Sequence, residues 1–221
     1  MLILGLESSA VAASCAITQD SKILGYACVN VRITHSQTLI PLVEGVLKAA
    51  GLSLDDIDAL AVSNGPGSFT GLRISVSAVK GLALARGLPV CGVSTLLSLA
   101  HNLTGRDVIA CAVMDARRNQ IYNALFDING EDITRLTPDR AISLDELSEE
   151  LADITEKEIV LVGDGAELVE SQLYLPVAAE IIRYQNAASV CLSAKDFITA
   201  KELMPVYIRK PQAERERENK Q

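Results

Sequence analysis

Two carboxylates stand at equivalent places in this chain. Glu7 follows the apolar run 2–6 and Asp115 follows the apolar run 108–114; each run reads as a buried strand. Acids at the ends of two such strands, if folding brings them together, are groups that hold a divalent cation and, through it, a phosphate. A third element of that chemistry is Ser63-Asn64-Gly65-Pro66-Gly67-Ser68-Phe69-Thr70-Gly71-Leu72-Arg73. It reads as a strand-to-helix turn. Its glycines permit positive φ, and its hydroxyls and amides gather at a helix N-terminus, where an anion binds. A tight turn closed by an N-cap accounts for the same residues equally well. The candidate cleft and anion-site residues are Glu7, Ser8, Gly67, Ser68, Thr70 and Asp115. Their surroundings mark the site as degenerate. Gly5-Leu6-Glu7-Ser8-Ser9 is not a glycine-rich phosphate hairpin, Asp115 runs into Ala116-Arg117-Arg118 with no glycine turn, and Gly163-Asp164-Gly165 is only a lone Gly-x-Gly.

Other chemistries find less support. Neither His35 nor His101 has a second His or acid at helical ligand spacing, so each reads as a helix-end residue rather than a ligand. The serines include no nucleophile-elbow motif. Cysteines at 15, 28, 91, 111 and 191 are odd in number and widely spaced, without metal-ligand spacing. In apolar stretches they are expected as small core residues, in a reducing, cytoplasmic setting. The formal net charge of −8 makes the chain a poor stand-alone binder of nucleic acid, because phosphate contacts are made by basic side chains. No apolar run has membrane-spanning length, and residues 1–6 lack the basic flank and cleavage site of a signal peptide.

The elements that would position these residues follow from periodicity and turn signals. Strands are expected at 2–6, 11–17 and 23–29, a helix at 36–50 stopped by Gly51, and a strand at 59–62. After the loop 65–71 come a helix at 72–86 stopped by Gly87, a strand at 90–93, and a helix capped by Ser94 and running to His101. The order then repeats. Strands are expected at 108–114, 120–126 and 133–136, a helix at 144–151 capped by Ser143, a strand at 159–162, and helical stretches after Gly165 and over 187–200. This is the pattern of two ribonuclease-H-like α/β lobes, as in the actin-like ATPase and sugar kinase superfamily. The division is 1–104 and 105–210, with 211–221 a charged flexible tail.

Two helices carry more apolar surface than one lobe needs. On the first, Gln37, Pro41, Glu44 and Lys48 form a narrow polar stripe, leaving Leu39, Leu42, Val43, Val46 and Leu47 around the rest. On the second, small residues lie between the charges, and Arg73, Ile74, Ser77, Ala78, Gly81 and Leu82 could meet another helix closely. Both helices could instead be buried between sheet and neighbouring helix. The alternative is a helical interface with a partner protein.

Several segments together resemble the TsaB (YeaZ) family. Gly65-Pro66-Gly67-Ser68-Phe69-Thr70-Gly71-Leu72-Arg73 is similar to that family's Gly-Pro-Gly-Ser-Phe-Thr-Gly-(Leu/Val)-Arg signature. So are His35-Ser36-Gln37, Gly92-Val93-Ser94-Thr95-Leu96, Met114-Asp115-Ala116-Arg117 and Pro205-Val206-Tyr207-Ile208-Arg209 to its other motifs. Glu7-Ser8-Ser9 departs from its usual Asp-Thr-Ser, keeping the charge and adding a methylene. The resemblance implies a non-catalytic subunit for threonylcarbamoyladenosine modification of tRNAs reading codons that start with A. It would pair with the paralogue TsaD through the two apolar helices, admit the ATPase TsaE, pair with itself when alone, and meet tRNA only through the complex. It implies no cofactor of its own, with ATP used by the complex. The catalytic paralogue carries Gly-Val-Asn-His-Met-Glu-Gly-His, a metal-binding His pair, after the corresponding strand; here the His positions become Thr95 and Leu99. The competing expectation is an independent ATP-dependent phosphotransferase or metallopeptidase of the same fold.

Overall fold

The computed structural model describes residues 1–31, 34–117 and 120–209, so Arg118 and the charged stretch 211–221 lie outside the described residues. Strand β1 (Leu2–Glu7) lies at the centre of the first sheet. It pairs antiparallel with β2 (Ala13–Gln19), which pairs antiparallel with β3 (Lys22–Val29). On its other side lie β4 (Ala59–Gly65) and β5 (Val90–Ser94), both parallel, giving the order β3-β2-β1-β4-β5. Alternation along β1 decides what packs where. Leu4 and Leu6 meet α1 (His35–Ala50) and α2 (Phe69–Arg86) through Val43, Val46, Val76 and Val79. Ile3 points to the opposite face.

The second sheet repeats the plan with β6 (Arg106–Asp115), β7 (Gln120–Gly130), β8 (Asp132–Arg135) and β10 (Ile159–Val162) in the order β10-β6-β7-β8. As β4 lies parallel to β1, so β10 lies parallel to β6. A short strand β9 (Arg140–Ser143), not expected from the sequence, pairs with the start of β7. α4 (Leu144–Ala152) and α5 (Ala166–Leu173) cover the outer face through Leu147, Leu151 and Val169. α3 (Thr95–His101) covers the inner face, placing Leu96 and Leu99 against Met114 and Phe126. A one-turn helix α6 (Glu180–Arg183) precedes α7 (Ala187–Ser193), which returns to the inner face of the first sheet beside Ile3, Ala16 and Ala61. A Cβ on Gly5 would fall 2.4 Å from Cys191 Sγ, so the lack of a side chain there sets how closely α7 approaches. α3 and α7 pack on each other between the two sheets, and five layers result: helices, sheet, helices, sheet, helices.

Several boundaries differ from the sequence expectation. α2 starts at Phe69 rather than 72, because Ser68 caps it by accepting from the Gly71 amide at 3.3 Å. β7 runs on to Gly130, carried past Phe126 by pairing with β6 and β8. The helix expected over 187–200 stops at Ser193, and Ile198 instead bridges the free edge of β5 at Val90. Cys28 is exposed on edge strand β3, against the expectation of a core role; the other four cysteines are buried. No helix among the described residues is long and apolar enough to cross a membrane.

Candidate functional site

β1 and β6 end at the mouth of a cleft of about 390 Å³ between the lobes, lined by residues from both lobes. Glu7 and Asp115 stand at those strand ends as expected, but in unlike environments. Glu7 is fully buried; its Oε1 accepts from the Ser9 amide at 2.5 Å and its Oε2 from the Ser63 hydroxyl. Burial pushes its carboxyl above the usual range, against the pull of those donors. Asp115 is exposed on the cleft wall and accepts from the Arg117 amide at 2.6 Å.

Asp164 is a third acid, which the sequence marked only as part of a weak Gly-x-Gly. A Cβ on Gly163 would lie 2.0 Å from the Val113 carbonyl oxygen, so this turn sits tight on β6 and delivers Asp164 to the cleft. Burial, with Asp115 and Glu7 adding repulsion, pushes its carboxyl up to about 6, although Gln185 Nε2 donates to it at 2.7 Å. The readable signal was an acid between two glycines just after a second-lobe strand. Among the described residues, no three of His, Cys, Asp and Glu are gathered as metal ligands would be.

The motif loop packs directly onto the end of β1. Ser68 donates its amide to the Ser9 carbonyl at 2.6 Å, and Ser8 donates its buried hydroxyl to the Gly71 carbonyl at 3.0 Å. A Cβ on Gly71 would lie 2.0 Å from Ser8 O, and one on Gly67 2.5 Å from Ser9 O. These glycines thus serve backbone-to-backbone contact. Ser8 faces Gly71 rather than the cleft, while Gly67 and Ser68 line the cleft and Thr70 is exposed.

The two helices divide differently from the sequence expectation. Leu39, Val43 and Val46 are buried in the first-lobe core and offer nothing to a partner; Leu42 and Leu47 are half-buried. The sheet beneath α1 claims these positions, a demand that helical periodicity alone does not separate from a partner's. The outward face of α1 is Gln37, Ile40, Pro41, Glu44, Gly45, Lys48 and Ala49. On α2, Arg73, Ser77 and Gly81 are exposed, and Ile74, Ala78 and Leu82 are half-buried. A Cβ placed on Gly45 or on Gly81 would have no neighbour within 4 Å among the described residues.

Each histidine bonds to a neighbouring group of the fold. His35 Nε2 lies 2.8 Å from the Ala10 carbonyl, and His101 Nδ1 lies 2.9 Å from the Ser193 hydroxyl. Burial, with Lys195 nearby, pushes the His101 imidazole below its usual range. Thr95 and Leu99 are buried at the inner face of the second lobe, Leu99 within its apolar core.

Comparison with known proteins agrees with this topology. A family model described as "TsaD: tRNA N6-adenosine threonylcarbamoyltransferase" matches residues 16–215. The tRNA threonylcarbamoyladenosine biosynthesis protein TsaB of Escherichia coli (strain K12) is 30% identical over 223 residues, covering 95% of each chain. The chain belongs to the TsaB (YeaZ) family. The structure of YeaZ from Pseudomonas aeruginosa superposes with a TM-score of 0.80 at 26% identity, covering 93% of this chain and 99% of that one. Ethanolamine utilization protein EutJ from Carboxydothermus hydrogenoformans, at 12% identity and a TM-score of 0.54 over 88% of this chain and 90% of that one, shares the fold alone. The two-lobed α/β fold is the one YeaZ and EutJ share, and the TsaB motifs at 63–73 and 205–209 meet in space where β4 leads into α2.

Proposed function

We propose that this chain is an accessory subunit in tRNA threonylcarbamoyladenosine biosynthesis. It pairs with a TsaD-type transferase through the outward faces of α1 and α2. The observation that carries this reading is the pair of glycines, Gly45 and Gly81, in the middle of long exposed helices. Glycine in a helix interior costs about 0.5–1 kcal/mol relative to alanine. Among the described residues, neither position has a neighbour that would forbid a Cβ. A second pair of helices approaching closely gives both glycines a reason. Ile40, Pro41, Ala49, Ser77 and Ala85 extend the same low, mostly uncharged surface.

The accessory role is supported by Thr95 and Leu99 standing where the paralogue has its His pair, since a leucine side chain cannot ligate a metal. The phosphotransferase reading is less supported, because the motif loop lies on Ser8 and Ser9 backbone to backbone where a phosphate would need open amides. In this reading ATP is consumed by the complex, TsaE joins the pair, tRNA is met through TsaD, the chain pairs with itself when alone, and the setting is cytoplasmic.

The test is threonylcarbamoyl transfer to tRNA in a mixture of TsaD, TsaE, ATP and threonylcarbamoyl-adenylate, with and without this chain. Product that requires the chain is the expected result. Equal rates without it, or transfer by the chain alone, would overturn the proposal.

A further inference from the structure

We infer that residues 204–209 are a strap that ties the two lobes across the mouth of the cleft and is fastened on the first lobe by Phe69 and Arg73. The strap begins where Leu203, almost fully buried, anchors the chain and Lys80 of α2 donates to the Leu203 carbonyl at 2.9 Å. Asn64 at the end of β4 then holds it twice. Its carbonyl accepts from the Val206 amide at 2.6 Å, and its side-chain amide donates to the Met204 carbonyl at 3.3 Å. Gly65, with φ +141°, lets the Val206 carbonyl oxygen lie where a Cβ would be 2.1 Å away. Tyr207 next stacks on Phe69 with ring centroids 4.3 Å apart, and Arg73 donates to the Tyr207 hydroxyl at 3.1 Å while its guanidinium lies 4.0 Å over the Phe69 ring. Two residues later the strap crosses to the other lobe, where Arg209 donates to the Ala116 carbonyl at 2.8 Å, just past the end of β6.

The strap also forms part of the cleft wall, through Val206, Tyr207, Ile208 and Arg209. Its burial is uneven: Met204 is 62%, Val206 49% and Tyr207 39% exposed, while Pro205, Ile208 and Arg209 are half-buried. A short surface segment held mainly by polar bonds and one ring stack opens more readily than the sheets it lies on. The two end motifs thus join in one device. It sets how open the cleft is, and its first-lobe fastening, Arg73, lies on the exposed side of α2 one turn before Ser77. A protein covering that side would press on the strap as well; this last step rests on the proposed pairing, whereas the strap itself does not.

The experiment is backbone hydrogen exchange on the full-length chain, without a TsaD-type partner and at a dilution where it is monomeric, so its failure and that of the pairing are separate results. Arg209→Ala, Tyr207→Ala and Arg73→Ala are compared with the parent chain. Exchange across residues 114–117 and 163–166 is expected to rise about tenfold or more in all three, with β1 and β2 unchanged. Arg73→Ala is the decisive variant. Its side chain bonds Tyr207 and Phe69 at the first-lobe end, so an effect at Ala116 has to travel along the strap. Tyr207→Phe, which keeps the stack and loses the hydroxyl, is expected to fall between the parent and Tyr207→Ala. The inference is overturned if Arg73→Ala changes exchange only near residues 64–73, if none of the variants changes it at the cleft, or if exchange rises equally through both sheets.

Discussion

The two lobes share one topology and treat their outer helices in opposite ways. In the second lobe, α4 is nine residues long and carries the features of a helix that faces water. Ser143 and Glu146 form a reciprocal capping box, Asp145 and Glu146 place negative charge in the first turn, and Leu144, Leu147 and Leu151 make one inward stripe. In the first lobe, α1 is sixteen residues long and keeps the inward stripe, as Leu39, Val43 and Val46, without the support at its start. Thr34 makes no side-chain cap, the first turn has no acid, Pro41 removes an amide from its interior, and Gly45 adds backbone freedom. Its packing on the first sheet is what holds it helical. In the proposed pairing, the outward side of α1 answers to a partner as well as to monomer stability.

The largest expected effect breaks this comparison directly. Gly81→Arg on α2 adds a bulky cation at an exposed position whose Cβ would have no described residue within 4 Å, so the fold should be unharmed. Its affinity for a TsaD-type partner should fall a hundredfold or more, about 2.7 kcal/mol or above at a helix–helix contact. Glu149→Arg on the outer side of α4 should leave affinity within about twofold, as surface changes outside an interface do. Titration calorimetry of both variants reads the difference. Equal losses in the two would mean that the lobes do not differ in this respect.

The acids near the cleft also differ between the lobes. Glu7 in the first lobe is buried with two donors, while Asp164 in the second is half-buried and pushed up to about 6. For Asp164 the folded chain keeps a proton that the unfolded chain releases near pH 4. Between about pH 4 and pH 6 the native state therefore binds more protons, and stability falls as pH rises through that window. The contribution is fully present below the window and gone above it, a change of about 1–2 kcal/mol after allowing for partial solvent exposure. Asp164→Asn should remove most of this slope and stabilise the chain at pH 7.5 with little change at pH 4.5. Urea unfolding at the two pH values is the measurement, and an unaltered slope would assign the dependence to Glu7, whose carboxyl is raised as well.

What was legible in the sequence was whatever local chemistry dictates. The αL glycines Gly51 and Gly87 end α1 and α2 as expected, Ser94 and Ser143 cap their helices, and Glu7 and Asp115 stand at equivalent strand ends. The rest depended on contacts remote in sequence. Leu39, Val43 and Val46 looked available because periodicity reports that a position is apolar and not which surface will cover it. Helix α7 was expected to run on, but the free edge of β5 takes Ile198 into a bridge. Asp164 became notable only when folding brought Asp115 and Glu7 near it. Tyr207 and Arg209 stood out as a motif, while their partners Phe69 and Ala116 lay far away in sequence.

The smallest expected effect concerns the glycines of the bare helices. If Gly45 and Gly81 are kept for a partner, each is a cost to the isolated chain, and Gly45→Ala and Gly81→Ala should each stabilise it by about 0.5–1 kcal/mol. The melting temperature should rise by a few degrees per substitution, on the order expected for a chain of this size. Pairing should move the other way, because each added methyl sits where a second helix would come close. A rise in stability with weaker pairing is the signature of a surface set by its partner. Destabilisation of the isolated chain by either alanine would instead mean that the glycine has work to do within the first lobe, and the contrast between α1 and α4 would then be one of local backbone shape.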